Sequence, residues 1–160
     1  MKRAIPLLVS LILVMPPMAL AQTYPTKPIR FVVGYPPGGG NDIVARLIAP
    51  KLSEGLGQPV VIENKPGAGT NIAQEIVSKA APDGYTILLA PPSVVINKFL
   101  YKKLSFDALR DMTGISNFAF SPNIMVVNPS VPAKTVKEFV ALARAKPGHY
   151  TFSSSGNGST

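Results

Sequence analysis

Residues 29–42 read Ile29-Arg30-Phe31-Val32-Val33-Gly34-Tyr35-Pro36-Pro37-Gly38-Gly39-Gly40-Asn41-Asp42, a short apolar run followed by a Gly-rich loop, and an amphipathic stretch opens at Ile43. The device recurs at Val60-Val61-Ile62-Glu63, then Asn64-Lys65-Pro66-Gly67-Ala68-Gly69-Thr70-Asn71, with helical spacing from Ile72 onward. A third apolar run, 85–90, follows the turn Pro82-Asp83-Gly84. Short apolar runs alternating with helical spacing predict buried parallel strands and an α/β sheet with right-handed crossovers. A helix start carries unpaired N–H groups and the positive end of the helix dipole. Glycine lets a ligand approach that backbone. Two such loops on one sheet predict an anion held by main-chain donors.

Around these loops the pattern predicts further elements. Val44, Leu47, Ile48, Leu52 and Leu56 mark one helix face, capped by Asn41 or Asp42, with a kink expected near Arg46 from Pro50 and an end at Gly55 and Gly57. Ile72, Ala73, Ile76, Val77 and Ala80 mark a second helix, and 93–100 a short third one. Residues 104–111 read as irregular. Residues 113–120 and 124–128 read as strands across a Ser121-Pro122-Asn123 turn, and 150–153 as another. Thr135 and Glu138 form a capping box, and Val136, Phe139, Val140 and Ala143 give that helix its predicted buried face. A third Gly/Ser loop, residues 153–160, stands where another helix would open, so the sequence reads as the N-terminal part of a longer protein or a truncated product.

The N-terminus has its own signature. Lys2-Arg3 precedes an almost wholly apolar stretch to Leu20, and Ala19-Leu20-Ala21 is a small-x-small cleavage pattern. This predicts a secretory signal peptide cut after Ala21 and an exported mature chain. Pro6, Pro16 and Pro17 interrupt the stretch, which argues against a membrane span.

Composition narrows the function class. The 160 residues are 46% hydrophobic, contain no cysteine, and carry a net charge of +8, two charges of which are Lys2 and Arg3. Without cysteine there is no disulfide, thiolate metal site or Cys nucleophile. The basic residues are scattered with no interleaved aromatics, which argues against nucleic acid. Neither the dinucleotide fingerprint nor the P-loop fits, because Gly40 stands where the P-loop lysine belongs. The single histidine, His149, has no partner base or metal-ligand cluster around it, so no metal is expected. No carboxylate pair has a spacing for acid–base work, and Ser153 to Ser155 lacks a nucleophile elbow. No catalytic residue and no cofactor are expected. Asp42 reads equally as a helix cap and as a ligand contact.

The segments Tyr24-Pro25-Thr26-Lys27-Pro28-Ile29-Arg30, Pro36-Pro37-Gly38-Gly39, Asp42-Ile43-Val44-Ala45-Arg46, Leu56-Gly57-Gln58-Pro59-Val60, Asn64-Lys65-Pro66-Gly67-Ala68-Gly69, Ala81-Pro82-Asp83-Gly84-Tyr85-Thr86 and Ser155-Gly156-Asn157-Gly158-Ser159 carry a resemblance. With them the sequence resembles the Bug-type receptors, the extracytoplasmic solute-binding components of tripartite tricarboxylate transporters. The resemblance implies a two-lobed α/β periplasmic-binding-protein (Venus flytrap) fold, here truncated to most of lobe 1 and the start of lobe 2. The implied domains are the signal peptide 1–21, lobe 1 over 22–104 and an incomplete lobe 2 over 105–160. It implies that Pro37, Gly38, Gly39 and Asp42, with Gly67, Ala68 and Gly69 beside them, line the first-lobe side of a carboxylate site. Ser155, Gly156, Asn157, Gly158 and Ser159 would supply the second-lobe side. A small organic acid as ligand, membrane transporter subunits as partners and a monomeric state are implied likewise. An exported α/β enzyme with catalytic residues beyond this chain, and a non-functional fragment, are the alternatives.

Overall fold

The structure is a computed structural model and describes residues 23–120, 122 and 124–154. The predicted signal peptide and the stretch 155–160 lie outside the described residues. Three strands form the sheet: β1 (Ile29–Val33), β2 (Val60–Asn64) and β3 (Thr86–Leu89). Their spatial order is β2-β1-β3, and both pairings are parallel. Phe31 sits opposite Ile62 on one side and Ile87 on the other. The first strand in sequence is therefore the central one. Its burial follows: Ile29, Phe31, Val32 and Val33 are all at most 2% exposed.

The connections are helical. α1 (Gly40–Leu56) joins β1 to β2 and packs on both. α2 (Asn71–Ser78) joins β2 to β3 and packs on β1 and β3. The first crossover moves one way along the sheet and the second moves back, so right-handed connections put the two helices on opposite faces. Parity along β1 agrees. Phe31 and Val33 cluster with Ala45, Ala49 and Leu89, with Val44, Val60, Ile62 and Ile87 packed around them. Val32 has the opposite parity and points to the other face. Small Ala45 and Ala49 form the buried seam of α1, while Leu47, predicted to face inward, is 68% exposed.

α1 starts at Gly40, with Gly39 rather than Asn41 or Asp42 at the cap position. It runs through Pro50, which forgoes the bond to the Arg46 carbonyl, and ends at Gly57, whose φ of 67° is the left-handed stop. α3 (Ser93–Leu100) has the predicted bounds. Residues 104–111, read as irregular, contain a short helix α4 (Ala108–Asp111), because the Asp107 carboxylate caps it by accepting from Leu109 N–H at 3.1 Å. Half of the capping box forms at α5 (Val136–Ala145): Glu138 N–H donates to Thr135 Oγ1 at 3.2 Å, but Glu138 Oε2 reaches past the cap residue and accepts from Lys134 N–H at 2.6 Å.

Three predicted strands are not formed. The described residues of 113–120 and 124–128, and residues 150–153, have no ladder partner among the described residues. A strand is defined by a neighbour as much as by its own β propensity. Ile115, Phe120, Ile124, Val126 and Phe152 are each at least 80% exposed. The predicted inner face of α5 is also poorly covered: Val136 and Val140 are exposed, and the half-buried Phe139 ring lies 5.6 Å from that of Tyr150 between centroids.

Candidate functional site

The carboxyl ends of β1, β2 and β3 lie side by side, so the loops that leave them form one rim. In open parallel sheets this rim, where crossovers diverge, is where ligands sit. The chain diverges beside β1, since β2 flanks it on one side and β3 on the other.

The first loop is built around Asp42. This side chain is 2% exposed and makes three bonds. Its Oδ2 accepts from Gly38 N–H and from Arg46 Nε, both at 2.8 Å, and its Oδ1 accepts from Asn64 Nδ2 at 2.9 Å. The bond from Arg46, then those from Gly38 and Asn64, hold the carboxyl far below the usual carboxylate range. Asn64, the last residue of β2, also donates to the Tyr35 carbonyl at 3.0 Å. Thus Asp42 is not the N-cap, and its carboxylate bonds are made within the fold. It is a buried anchor that fixes the loop 34–39 onto α1 and β2. Gly38 takes φ 82° in that loop, and Gly39 N–H donates to the Pro36 carbonyl at 3.3 Å.

The donor inventory changes as a result. The N–H groups of Gly38 and Gly39 are used within the loop. The first intrahelical bond is Ile43 N–H to the Gly39 carbonyl. The N–H groups of Gly40, Asn41 and Asp42 precede it, and these first-turn donors are the ones a helix start offers to an anion. Pro37, Gly38 and Gly39, which the resemblance implies for the site, directly precede these donors, because the last glycine of the run opens the helix.

The second loop carries the sharpest backbone. Ala68, Gly69 and Thr70 take φ of 47°, 59° and 75° in succession. Gly67, at φ 129°, holds a backbone conformation that strains any residue with a Cβ, and a Cβ there would also push the Ile72 Cδ1 methyl aside. Thr70 is a non-glycine residue in the left-handed region, which costs it free energy unless neighbours hold it there. Its hydroxyl does so: Oγ1 lies 2.8 Å from Ser93 Oγ and accepts from Gln74 Nε2 at 2.7 Å. The Gly69 carbonyl accepts from Asn97 Nδ2 at 2.7 Å.

The two loops touch through Gly34. A Cβ there would lie 2.8 Å from Thr70 Cβ and 3.2 Å from Ala73 Cβ. The Tyr35 phenol stands between the loops and α3. Burial pushes its pKa up, against hydrogen bonds with Ser93 and Asn41. The structure therefore brings together Gly38, Gly39 and Asp42 with Gly67, Ala68 and Gly69 along one rim, Pro37 being exposed beside them. Ser155 to Ser159 lie outside the described residues. Among the described residues no group of His, Asp and Glu could hold a metal ion. A cavity of about 170 Å³ between α3 and residues 101–109, lined by Val94, Val95, Lys98 and Phe106 among others, shares no residue with the rim.

Residues 44–160 match the model of the tripartite tricarboxylate transporter family receptor. The chain belongs to this family. The chain is 41% identical over 147 residues to the UPF0065 protein in the gbd 5' region of Cupriavidus necator, covering 91% of this chain and 44% of that protein. It is 36% identical over 141 residues to BugT of Bordetella pertussis, covering 87% and 43%. It thus spans less than half the length of these relatives. Among solved structures, a periplasmic transporter superposes with a TM-score of 0.76 at 43% identity, over 83% of this chain and 45% of that one. R. palustris Rpa4515 with adipate gives 0.71 at 37%, over 78% and 42%. The fold is that of periplasmic binding proteins, represented here by a parallel α/β sheet and under half of the neighbours' length. The family model is that of a transporter receptor, and a further neighbour, at 40% identity, is the periplasmic binding protein BugD.

Proposed function

We propose that this protein is a periplasmic receptor that binds a small carboxylated metabolite between two lobes and delivers it to a tripartite tricarboxylate-type transporter in the membrane. Residues 22–104 then belong to the first lobe, and residues 105–160 begin the second. The observation that carries this reading is the rim itself. An α1 start without a side-chain cap stands beside a left-handed turn at Ala68–Thr70, both at the carboxyl end of one parallel sheet. Backbone N–H groups suit a carboxylate because charge-assisted bonds are the stronger kind, and they bury no separate cation. Gly40, Asn41 and the 67–70 turn form the first-lobe donors, with Asp42 holding them in place. Ser155, Gly156, Asn157, Gly158 and Ser159 would supply the second-lobe donors, as the resemblance implies. The adipate in Rpa4515 supports a dicarboxylate as the first probe. Among the described residues no helix is long and apolar enough to cross a membrane, and the apolar leader ending at Ala21 supports export.

Isothermal titration calorimetry of the full chain with adipate and shorter dicarboxylates tests this. Saturable heat with one of them is the expected result. The absence of binding across the series, with the chain folded by circular dichroism, overturns the reading for this chain.

A further inference from the structure

Beneath the second loop lies a cluster of buried polar side chains. Thr70, Asn71, Gln74, Ser93 and Asn97 are each at most 7% exposed. They come from the loop after β2, the first turn of α2 and the helix after β3. Asn97 Nδ2 donates to Asn71 Oδ1 at 2.7 Å as well as to the Gly69 carbonyl. Gln74 Nε2 donates to Thr70 Oγ1, which meets Ser93 Oγ. Three atoms remain without a hydrogen-bond partner among the described residues: Asn71 Nδ2, Gln74 Oε1 and Asn97 Oδ1. Each has under 1 Å² of accessible surface, so bulk solvent does not reach them.

Buried polar atoms are ordinarily paired, because leaving them so costs their full desolvation. The three side chains belong to one buried cluster. Asn71 Nδ2 and Asn97 Oδ1 each sit one amide width from the 2.7 Å bond that joins their side chains. Gln74 is three residues on from Asn71, on the same face of α2. Their chemistry is one donor and two acceptors. An anion is excluded, since two carbonyl oxygens would face its charge. A water molecule is the complement: it donates twice and accepts from the remaining N–H. The match survives the one ambiguity of amide orientation. Asn97 is fixed, because turning it would set its oxygen against the Gly69 carbonyl. Gln74 can turn, with Thr70 then donating to Oε1. The cluster then shows two donors and one acceptor, and water serves that set equally.

We infer that Asn71, Gln74 and Asn97 bind one internal water molecule, which joins the second Gly loop to the helix after β3. Buried waters of this kind make two to four bonds and form part of the structure. The site is distinct from the rim and stands whether or not the chain binds an acid.

A crystal structure of the full chain at atomic resolution tests the site directly. The expected result is a fully occupied solvent peak within about 2.7–3.2 Å of all three side chains. In solution, the Asn71 side-chain amide should show NOE and ROE cross-peaks to water of opposite sign, the mark of a long-lived molecule. Asn71→Leu should abolish the peak if the variant folds. A direct Asn71 Nδ2 bond to Asn97 Oδ1 or Gln74 Oε1, with no solvent peak and no such cross-peaks in the unaltered chain, overturns the inference.

Discussion

The Thr70 hydroxyl meets the Ser93 hydroxyl at 2.8 Å, and this buried contact joins the loop after β2 to the helix after β3 across the end of β1. It is formed by a threonine whose φ of 75° would be easier for glycine. Thr70→Gly therefore sets two effects against each other. Relief of the left-handed backbone is worth about 1 kcal/mol. Loss of the hydroxyl strands Gln74 Nε2 and a bond of Ser93, which costs about 1–3 kcal/mol. The variant should be less stable on balance, whereas Thr70→Ser should stay near the parent. Urea unfolding followed by circular dichroism measures both, and a Thr70→Gly chain more stable than the parent would show that the hydroxyl is dispensable.

Gly34 packs directly against the second loop and the start of α2. Gly34→Ala drives a methyl into Thr70 and Ala73, with loss of about 1–3 kcal/mol as for other overpacked sites. Gly40→Ala meets nothing within 4 Å and, at the first helical position, should be neutral or slightly stabilising. A difference in urea midpoint between the two checks the ranking.

Asp42 gives the fold an acid-sensitive point. Its folded-state pKa is depressed, so below the ordinary carboxylate value the unfolded chain binds the extra proton. The stability it contributes is full above the unfolded pKa of about 4 and is lost as pH falls through the folded value. Asp42→Asn should melt several degrees lower at neutral pH and show a flatter decline below pH 4. Thermal melts of both chains between neutral and strongly acidic pH test this; parallel curves would assign the acid response elsewhere.

Gly40→Pro separates the rim's donors from its fold. Proline is accepted at a helix's first position but has no N–H. A hydrogen bond to a charged partner is worth about 1.5–3 kcal/mol, so dicarboxylate affinity should fall about ten- to a hundredfold while melting temperature is kept. Unchanged affinity in calorimetry would place the anion away from the α1 start.

Much of the sheet was legible in the sequence because its signals were local. Ile29 to Val33 and Val60 to Glu63 are apolar runs bounded by loops that only glycine-rich sequence supplies, and the structure has strands there. Thr135 and Glu138 announced α5 by a contact three residues long. Residues 113–128 failed for the converse reason. Their apolar content fits a strand, but pairing depends on a distant segment that no local pattern names. At the site, the Gly loops were visible, whereas the burial of Asp42 was not. Its anchoring depends on Asn64, which is 22 residues away and next to it only once β2 lies beside β1.

The order β2-β1-β3 also sets a schedule for the nascent chain. β1 has both its partners downstream, and the second of them ends at Leu89. Contacts so distant in sequence form slowly, because the intervening loops must close first. During synthesis the five residues of β1 emerge early, yet they can become the middle of a sheet only after some 60 further residues have followed. A first strand that must wait in this way leaves its apolar residues uncovered until the second crossover is complete.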